Sequence, residues 1–167
     1  IGFTPVLFAV RNGDLDAVKT LVAAGADINR PGADGTQALP LAIISGRDAI
    51  ASYLLETGGD PNSSMYGVSA LHAAAGDVDT WLRDWLRARG ASVYARNTAG
   101  LGAQARLSLV KALIQRGADV NGRIQTATVM GLGVSGRHGA FDSFSVGTVN
   151  LKGATPLWVS AFVANWS

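Results

Sequence analysis

The stretch Thr20–Asn29, TLVAAGADIN, returns as YLLETGGDPN at Tyr53–Asn62 and as ALIQRGADVN at Ala112–Asn121, with a weaker copy, WLRARGASVY, at Trp85–Tyr94. A second stretch recurs between these. It reads GFTPVLFAVRNG from Gly2, GTQALPLAIISG from Gly35, GVSALHAAAGDV from Gly67 and GATPLWVSAFVA from Gly153. Gly2 to Gly35 is 33 residues and Gly35 to Gly67 is 32. A period of this length marks stacked supersecondary units rather than one sheet or one bundle.

Each unit reads as two short helices. The first starts after Thr4-Pro5, Gln37-Ala38 or Ser69-Ala70. Threonine can cap a helix start, and proline is tolerated in the first turn because its missing N–H had no partner there anyway. Small residues follow at Ala9, Ala42, Ala74 and Ala75, which lets neighbouring helices approach closely. The second helix carries apolar residues at helical spacing, Leu15, Val18, Leu21 and Val22 in the first unit and Ile50, Tyr53, Leu54 and Leu55 in the second. Gly25, Gly58, Gly90 and Gly117 then stand where a left-handed residue can end each helix. One such pair cannot bury its own apolar face. Copies stacked side by side bury each other's, so the same core residues must recur.

The pattern G-x-T-P-L-H-x-A-A followed by L-L-x-x-G-A-D-V-N resembles the ankyrin repeat, carried here by GFTPVLFAV with LVAAGADIN, by GVSALHAAA and by LIQRGADVN. The resemblance covers nearly the whole chain apart from one insertion. It implies an all-α solenoid of stacked helix pairs, and a scaffold that binds a partner protein through its concave face and finger tips rather than an enzyme. By the same resemblance, contact positions flank each repeat glycine and follow the alanines. These are Phe3, Arg11 and Asn12 in the first unit, and Ala33, Asp34, Thr36, Ile44 and Ser45 in the second. In the third they are Met65, Tyr66, Val68, Gly76 and Asp77. Tyr94 and Arg96 are expected as further contacts beyond those the resemblance gives.

Two departures stand out. From Gly90 to Gly117 is 27 residues, short of a full period. The segment QARLSLVKALIQRG offers Leu109, Val110, Leu113 and Ile114 as the core of a fourth second helix, but NTAGLGAQ is too short for the first. Either this repeat is truncated or a stretch between Gly100 and Gln104 is missing, and an uncovered apolar face inside a stack speaks for the latter. From Gly117 to Gly153 is 36 residues, whereas Gly25 to Gly35 is 10. The surplus, rich in Val, Thr, Phe and Gly with SGRHG in its middle, reads as a two-stranded hairpin, a lengthened inter-repeat finger. The expected organisation is repeats one to four over 1–123, a β-hairpin over 124–151, and the start of a fifth repeat over 152–167. A hairpin has two faces and the stack covers one, so Arg137, His138, Phe141 and Phe144 join the expected contact residues.

The remaining residues narrow the chemistry. Of 167 residues, 48% are apolar and 16% charged, enough for a real core. There is no cysteine, which removes disulfides, thiol catalysis and zinc–thiolate sites. His72 stands at the histidine of the ankyrin pattern, where the resemblance implies a hydrogen bond to neighbouring loop backbone. His138 lies in the expected turn. Neither has a nucleophile or carboxylate placed beside it by local sequence, and two distant histidines are no metal cluster, so no cofactor or metal is expected. GLGVSG at Gly131–Gly136 has a dinucleotide-binding spacing, but no helix signal comes after it.

Charge is uneven, with four basic against nine acidic side chains over residues 1–82 and eight against two over 83–123. The basic group Arg83, Arg87, Arg89, Arg96, Arg106, Lys111, Arg116 and Arg123 lacks a nucleic-acid reading motif and falls on different parts of successive repeats. It reads as a solvated face or as a surface for an acidic protein. No apolar run is long enough to span a bilayer. The partner is expected to be another protein or an adjoining domain of a longer chain. The Ala/Gly/Arg-rich composition suggests a bacterial source, in cytoplasm or periplasm. The competing function is an accessory segment of a larger enzyme or multi-subunit complex, which positions catalytic parts lying outside these residues.

Overall fold

The structure, a computed structural model, describes residues 2–65, 67–76, 102–125, 129–131, 148–150 and 152–164, with backbone alone at 129–131, 148–150 and 162–164. Its helices are α1 (Pro5–Asn12), α2 (Leu15–Ala23), α3 (Ala38–Ile44), α4 (Asp48–Glu56), α5 (Ala70–Ala75), α6 (Ala103–Gln115) and α7 (Pro156–Ala164). Two short antiparallel ladders accompany them. β1 (Ser64–Met65) pairs with β2 (Val68–Ser69), and β3 (Val129–Gly131) with β4 (Thr148–Asn150).

The helices form two rows. α1, α3, α5 and α7 stand side by side as first helices, and α2, α4 and α6 stand behind α1, α3 and α5 as second helices. Capping sets the starts. Thr4 Oγ1 accepts from the Leu7 amide, Ser69 Oγ from that of His72, and Asp14 Oδ1 from that of Ala17. The ends are alike in all three second helices. Gly25, Gly58 and Gly117 take φ of 86°, 97° and 90°. Ala26, Gly59 and Ala118 then donate back to Leu21, Leu54 and Leu113, while each glycine amide donates to Val22, Leu55 or Ile114. This double closure is the Schellman motif, and the left-handed residue it needs explains the glycine in each copy.

An asparagine joins each pair to the next. Asn29 Nδ2 donates to the Gly58 carbonyl at 3.1 Å, and its Oδ1 accepts from the Asp60 amide at 2.8 Å. Asn62 repeats this on Gly117 (3.1 Å) and Asp119 (2.8 Å). The unit after Asn62 therefore ends at Gly117, and α6 is the second helix of α5. The expectation set α6 in a fourth, incomplete repeat; the asparagine tie and its packing place it behind α5. In sequence, residues 77–101 separate α5 from α6, and α7 is the first described helix after that pair.

The finger before α7 says the same. In the short finger, Gly32 N–H donates to Thr36, Gly35 N–H to Gly32, and Ala33 N–H to Gly2. In the long one, Ile124 N–H donates to Ala154, Gly153 N–H to Ile124, and Gln125 N–H to Gly67. The two necks are closed by the same bonds. Residues 125–152 replace Ala33 and Asp34 at the tip, and β3 and β4 pair within them with Val129 opposite Asn150.

The core obeys the register. Leu54 and Leu113 are fully buried, four residues before their terminal glycines. Leu21, the equivalent in α2, is only partly buried, because α2 has a neighbouring second helix on one side alone among the described residues.

His72 is 1% exposed and ties the third pair to the loop that leads into α7: its Nε2 lies 3.0 Å from the Ala154 carbonyl and its Nδ1 2.7 Å from Ser69 Oγ. A carbonyl only accepts, so Nε2 carries the proton and Nδ1 accepts from the serine hydroxyl. Burial holds the imidazole pKa below its usual value, against the opposing pull of the Ala154 carbonyl. A depressed histidine pKa means that the unfolded chain takes up its proton first as pH falls. Stability from this group is complete above about pH 6.5 and declines below it. Thermal melts should fall between pH 7 and pH 5. In His72→Leu, which has no proton to gain, that part of the slope should be gone.

Candidate functional site: an exposed α1 and finger surface

The residues expected to make contacts separate by burial. Thr36 (0% exposed), Ser45 (5%), Met65 (3%), Val68 (4%) and Ile44 (2%) are buried, as is Gly76. They offer no free surface in this conformation, and the reason is local. Thr36 closes the neck of the short finger through its carbonyl, and Met65 and Val68 are paired across the β1–β2 ladder with both side chains in the core. Ser45 and Ile44 end α3, which is enclosed along its whole length. Tyr66, Asp77, Tyr94, Arg96, Arg137, His138, Phe141 and Phe144 lie outside the described residues.

What remains exposed lies on α1 and on the short finger. Arg11 and Asn12 stand on the last turn of α1, three and four residues after Phe8, and so on its face. Phe8 is 48% exposed although its equivalents Leu41 and Ala73 are fully buried. Its ring meets that of half-buried Phe3 edge-on, with centroids 5.5 Å apart and planes at 72°. The Ala33 amide, bound to the Gly2 carbonyl, brings the short finger alongside. Asp34 at the tip is exposed and uses Oδ1 to hold the Thr36 amide. An aromatic pair on the helix that also carries Arg11 and Asn12 can anchor an apolar side chain of a protein. Phe8 was not among the expected positions. Its aromatic bulk, where the other copies have Leu41 and Ala73, is the signal that marks it.

The described members of the basic group are mostly internal ties. Arg106 donates to the Gly76 carbonyl at 3.1 Å, Arg123 to Gly153 at 2.8 Å, and Arg116 to the Leu55 carbonyl in the last turn of α4. Cations suit helix ends, where carbonyls lack partners. Only Lys111 of this described set stands on an exposed helix face without such a bond. Gly131, which opens the glycine-rich GLGVSG, lies in strand β3.

No constellation for chemistry is assembled among the described residues. They hold no group of three or more His, Cys, Asp or Glu side chains able to grip a metal ion. A cavity of about 720 Å³ opens between the start of α1, the end of α2 and the short finger, with Asp27 and Arg30 at its wall. No described helix is long and apolar enough to cross a membrane.

Three relatives show the same pattern of likeness. The chain is 38% identical over 58 residues to a myotrophin of Xenopus tropicalis, covering 35% of this chain and 49% of that protein. It is 38% identical over 104 residues to a putative ankyrin repeat-containing protein of Treponema pallidum (strain Nichols), covering 60% of this chain and 35% of that one. A myotrophin of Xenopus laevis is 44% identical over 50 residues, 30% of this chain and 42% of its own. The chain thus spans half or less of the curated relatives it matches. The family profile described as ankyrin repeats (3 copies) matches residues 6–97, more than half of the chain. With the stacked pairs, the glycine closures and the asparagine ties, this match shows that the chain belongs to the ankyrin repeat family.

Proposed function

We propose that the chain is a non-catalytic scaffold that binds a partner protein through the α1 and short-finger surface and through the lengthened finger. The observation that carries this reading is the neck of that finger. Ile124, Gly153, Ala154 and Gln125 close it with the bonds that close the short one, so the neck itself needs no more than a two-residue tip. The extra residues therefore call for a role other than closing the turn. Those residues include Val129, Met130, Leu132, Phe141 and Phe144, whose apolar surface costs about 25 cal/mol per Å² to leave in water. A partner protein that covers them would remove that cost. Phe3, Phe8, Arg11, Asn12 and Asp34 supply a second contact region on the stack itself.

The test replaces residues 125–152 with Ala-Asp, the tip of the short finger. The trimmed chain should keep its circular dichroism spectrum and cooperative melt. In quantitative pull-down from the source cell it should lose most of what the parent chain retains, and Phe8→Asp with Arg11→Glu should weaken retention further. A trimmed chain that unfolds would make the finger structural, and unchanged retention by both variants would remove both surfaces from the reading.

A further inference from the structure

The asparagine tie has a seat that is left empty at one end of the stack. Inside the stack, the glycine carbonyl at the end of a second helix and the amide two residues later receive the two atoms of one carboxamide. Asn29 serves Gly58 and Asp60, and Asn62 serves Gly117 and Asp119. α2 ends in the same turn. Gly25 is left-handed like Gly58, and the Ala26 amide donates to Leu21 as that of Gly59 does to Leu54. No carboxamide reaches this turn. Among the described residues nothing donates to the Gly25 carbonyl, and nothing accepts from the Asp27 amide.

There is room for one. The cavity of about 720 Å³ opens onto Gly25, Ala26 and Asp27, with Thr4 and Pro5 of the α1 start and Pro31 of the short finger around it. The apolar face of the same edge is partly in water. Phe8 is 48% exposed and Leu21 is partly buried, whereas Leu41 and Ala73, and Leu54 and Leu113, at the same positions of later units, are fully buried. The contact that joins α2 to α4 and α4 to α6 thus continues onto this edge with its polar and its apolar parts in place. An accepting carbonyl beside a donating amide matches a carboxamide, which carries both a donor and an acceptor. A carboxylate has no donor and an ammonium no acceptor.

We propose that, within the scaffold role above, the α1–α2 edge docks a helix pair of a partner protein, whose asparagine seats its carboxamide in the cavity on the Gly25 carbonyl and the Asp27 amide. The partner's helices then cover Phe8 and Leu21. A second copy of this chain does not fit as that partner. Asn121 stands at the position of Asn29 and Asn62, but α7 packs beside α5, in the place that α1 of the other copy would need to bring Gly25 to Asn121.

The test fills the seat by design. A second copy of residues 2–34, placed directly before Gly2 in the full chain, keeps the 33-residue spacing of Gly2 to Gly35 and carries its own asparagine to the seat. Hydrogen–deuterium exchange resolved by NMR should find the Asp27 amide of the original unit fast in the parent and at least tenfold slower in the extended chain, with the Asp60 amide slow in both. Asn29→Ala or Asn29→Leu in the added copy alone should return Asp27 to its fast rate, because neither side chain offers an acceptor. The proposal is overturned if Asp27 exchanges alike with asparagine, alanine and leucine in the added copy. It is overturned equally if the extension costs Asp60 its protection, since the edge then takes no helix pair. An Asp27 amide already slow in the parent also overturns it: at monomer mass a segment of the same chain would hold the seat, and at dimer mass a second copy. Exchange is read without capture of any partner, so the seat can fail while the finger surface stands, and retention can fail while the seat holds.

Discussion

Leu54→Ala should lower the unfolding free energy by about 2–5 kcal/mol, the range for emptying a well-packed leucine site. Leu54 is fully buried in α4, the middle of the three described second helices, with α3 in front and α2 and α6 on either side. The cavity is therefore walled from several directions and cannot collapse onto one neighbour. In a stack each unit is stabilised through its interfaces, so the loss is felt in the pairs on both sides. Leu21→Ala, at the same position of α2, should cost less, because Leu21 is already partly in water. Chemical denaturation tracked by circular dichroism measures both. Equal costs, or no cost at Leu54, would mean that the register of the second helices is wrong.

Leu113→Ala should cost a similar amount, about 2–5 kcal/mol, because Leu113 is fully buried and stands at the position of Leu54. The comparison with its neighbour is sharper than the magnitude. Ile114, next in sequence and equally apolar, is 47% exposed. Ile114→Ala should cost well under half as much, because half of that side chain is already in water. A Leu113→Ala chain that melts like the parent would show that α6 does not belong to the stack.

The helix pairs were legible because their signals are local. A terminal glycine, a leucine four residues before it and a Thr-Pro or Ser-Ala start each report on their own turn, and the period of Gly2, Gly35 and Gly67 does the rest. The lengthened finger was legible for the same reason, from the excess between Gly117 and Gly153. The partner of α5 was not. Residues 79–90 and 104–117 both place leucines eight and four residues before a glycine, so pattern alone assigns either to the third pair. The choice is made by contacts far apart in sequence, such as Asn62 on Gly117 and Gln125 on Gly67.

The exposure of the expected contact positions was legible in part. Arg11, Asn12 and Asp34 are exposed as their polarity suggests. Thr36 and Ser45 are small enough to be enclosed, and one is taken into a finger neck that no local pattern announces. Met65 and Val68 flank Gly67 as an apolar pair, and period-two pairing across a tight turn turns both inward. Phe8 escaped notice because burial at its position depends on what packs against α1, which the residues of α1 do not encode.

The order of the stack rests on the third helix pair being built from residues 70–75 and 103–115, and amide exchange at Asp119 tests that most directly. The Asp119 amide donates to Asn62 Oδ1 at 2.8 Å, as the Asp60 amide does to Asn29 Oδ1. Hydrogen–deuterium exchange resolved by NMR should find both amides protected. Asn62→Ala should accelerate exchange at Asp119 by an order of magnitude or more, about 1.4 kcal/mol of lost protection, and leave Asp60 slow. If exchange at Asp119 is unchanged by Asn62→Ala while Asp60 remains protected by Asn29, then α6 does not stand next to the second pair, and the stack is ordered differently.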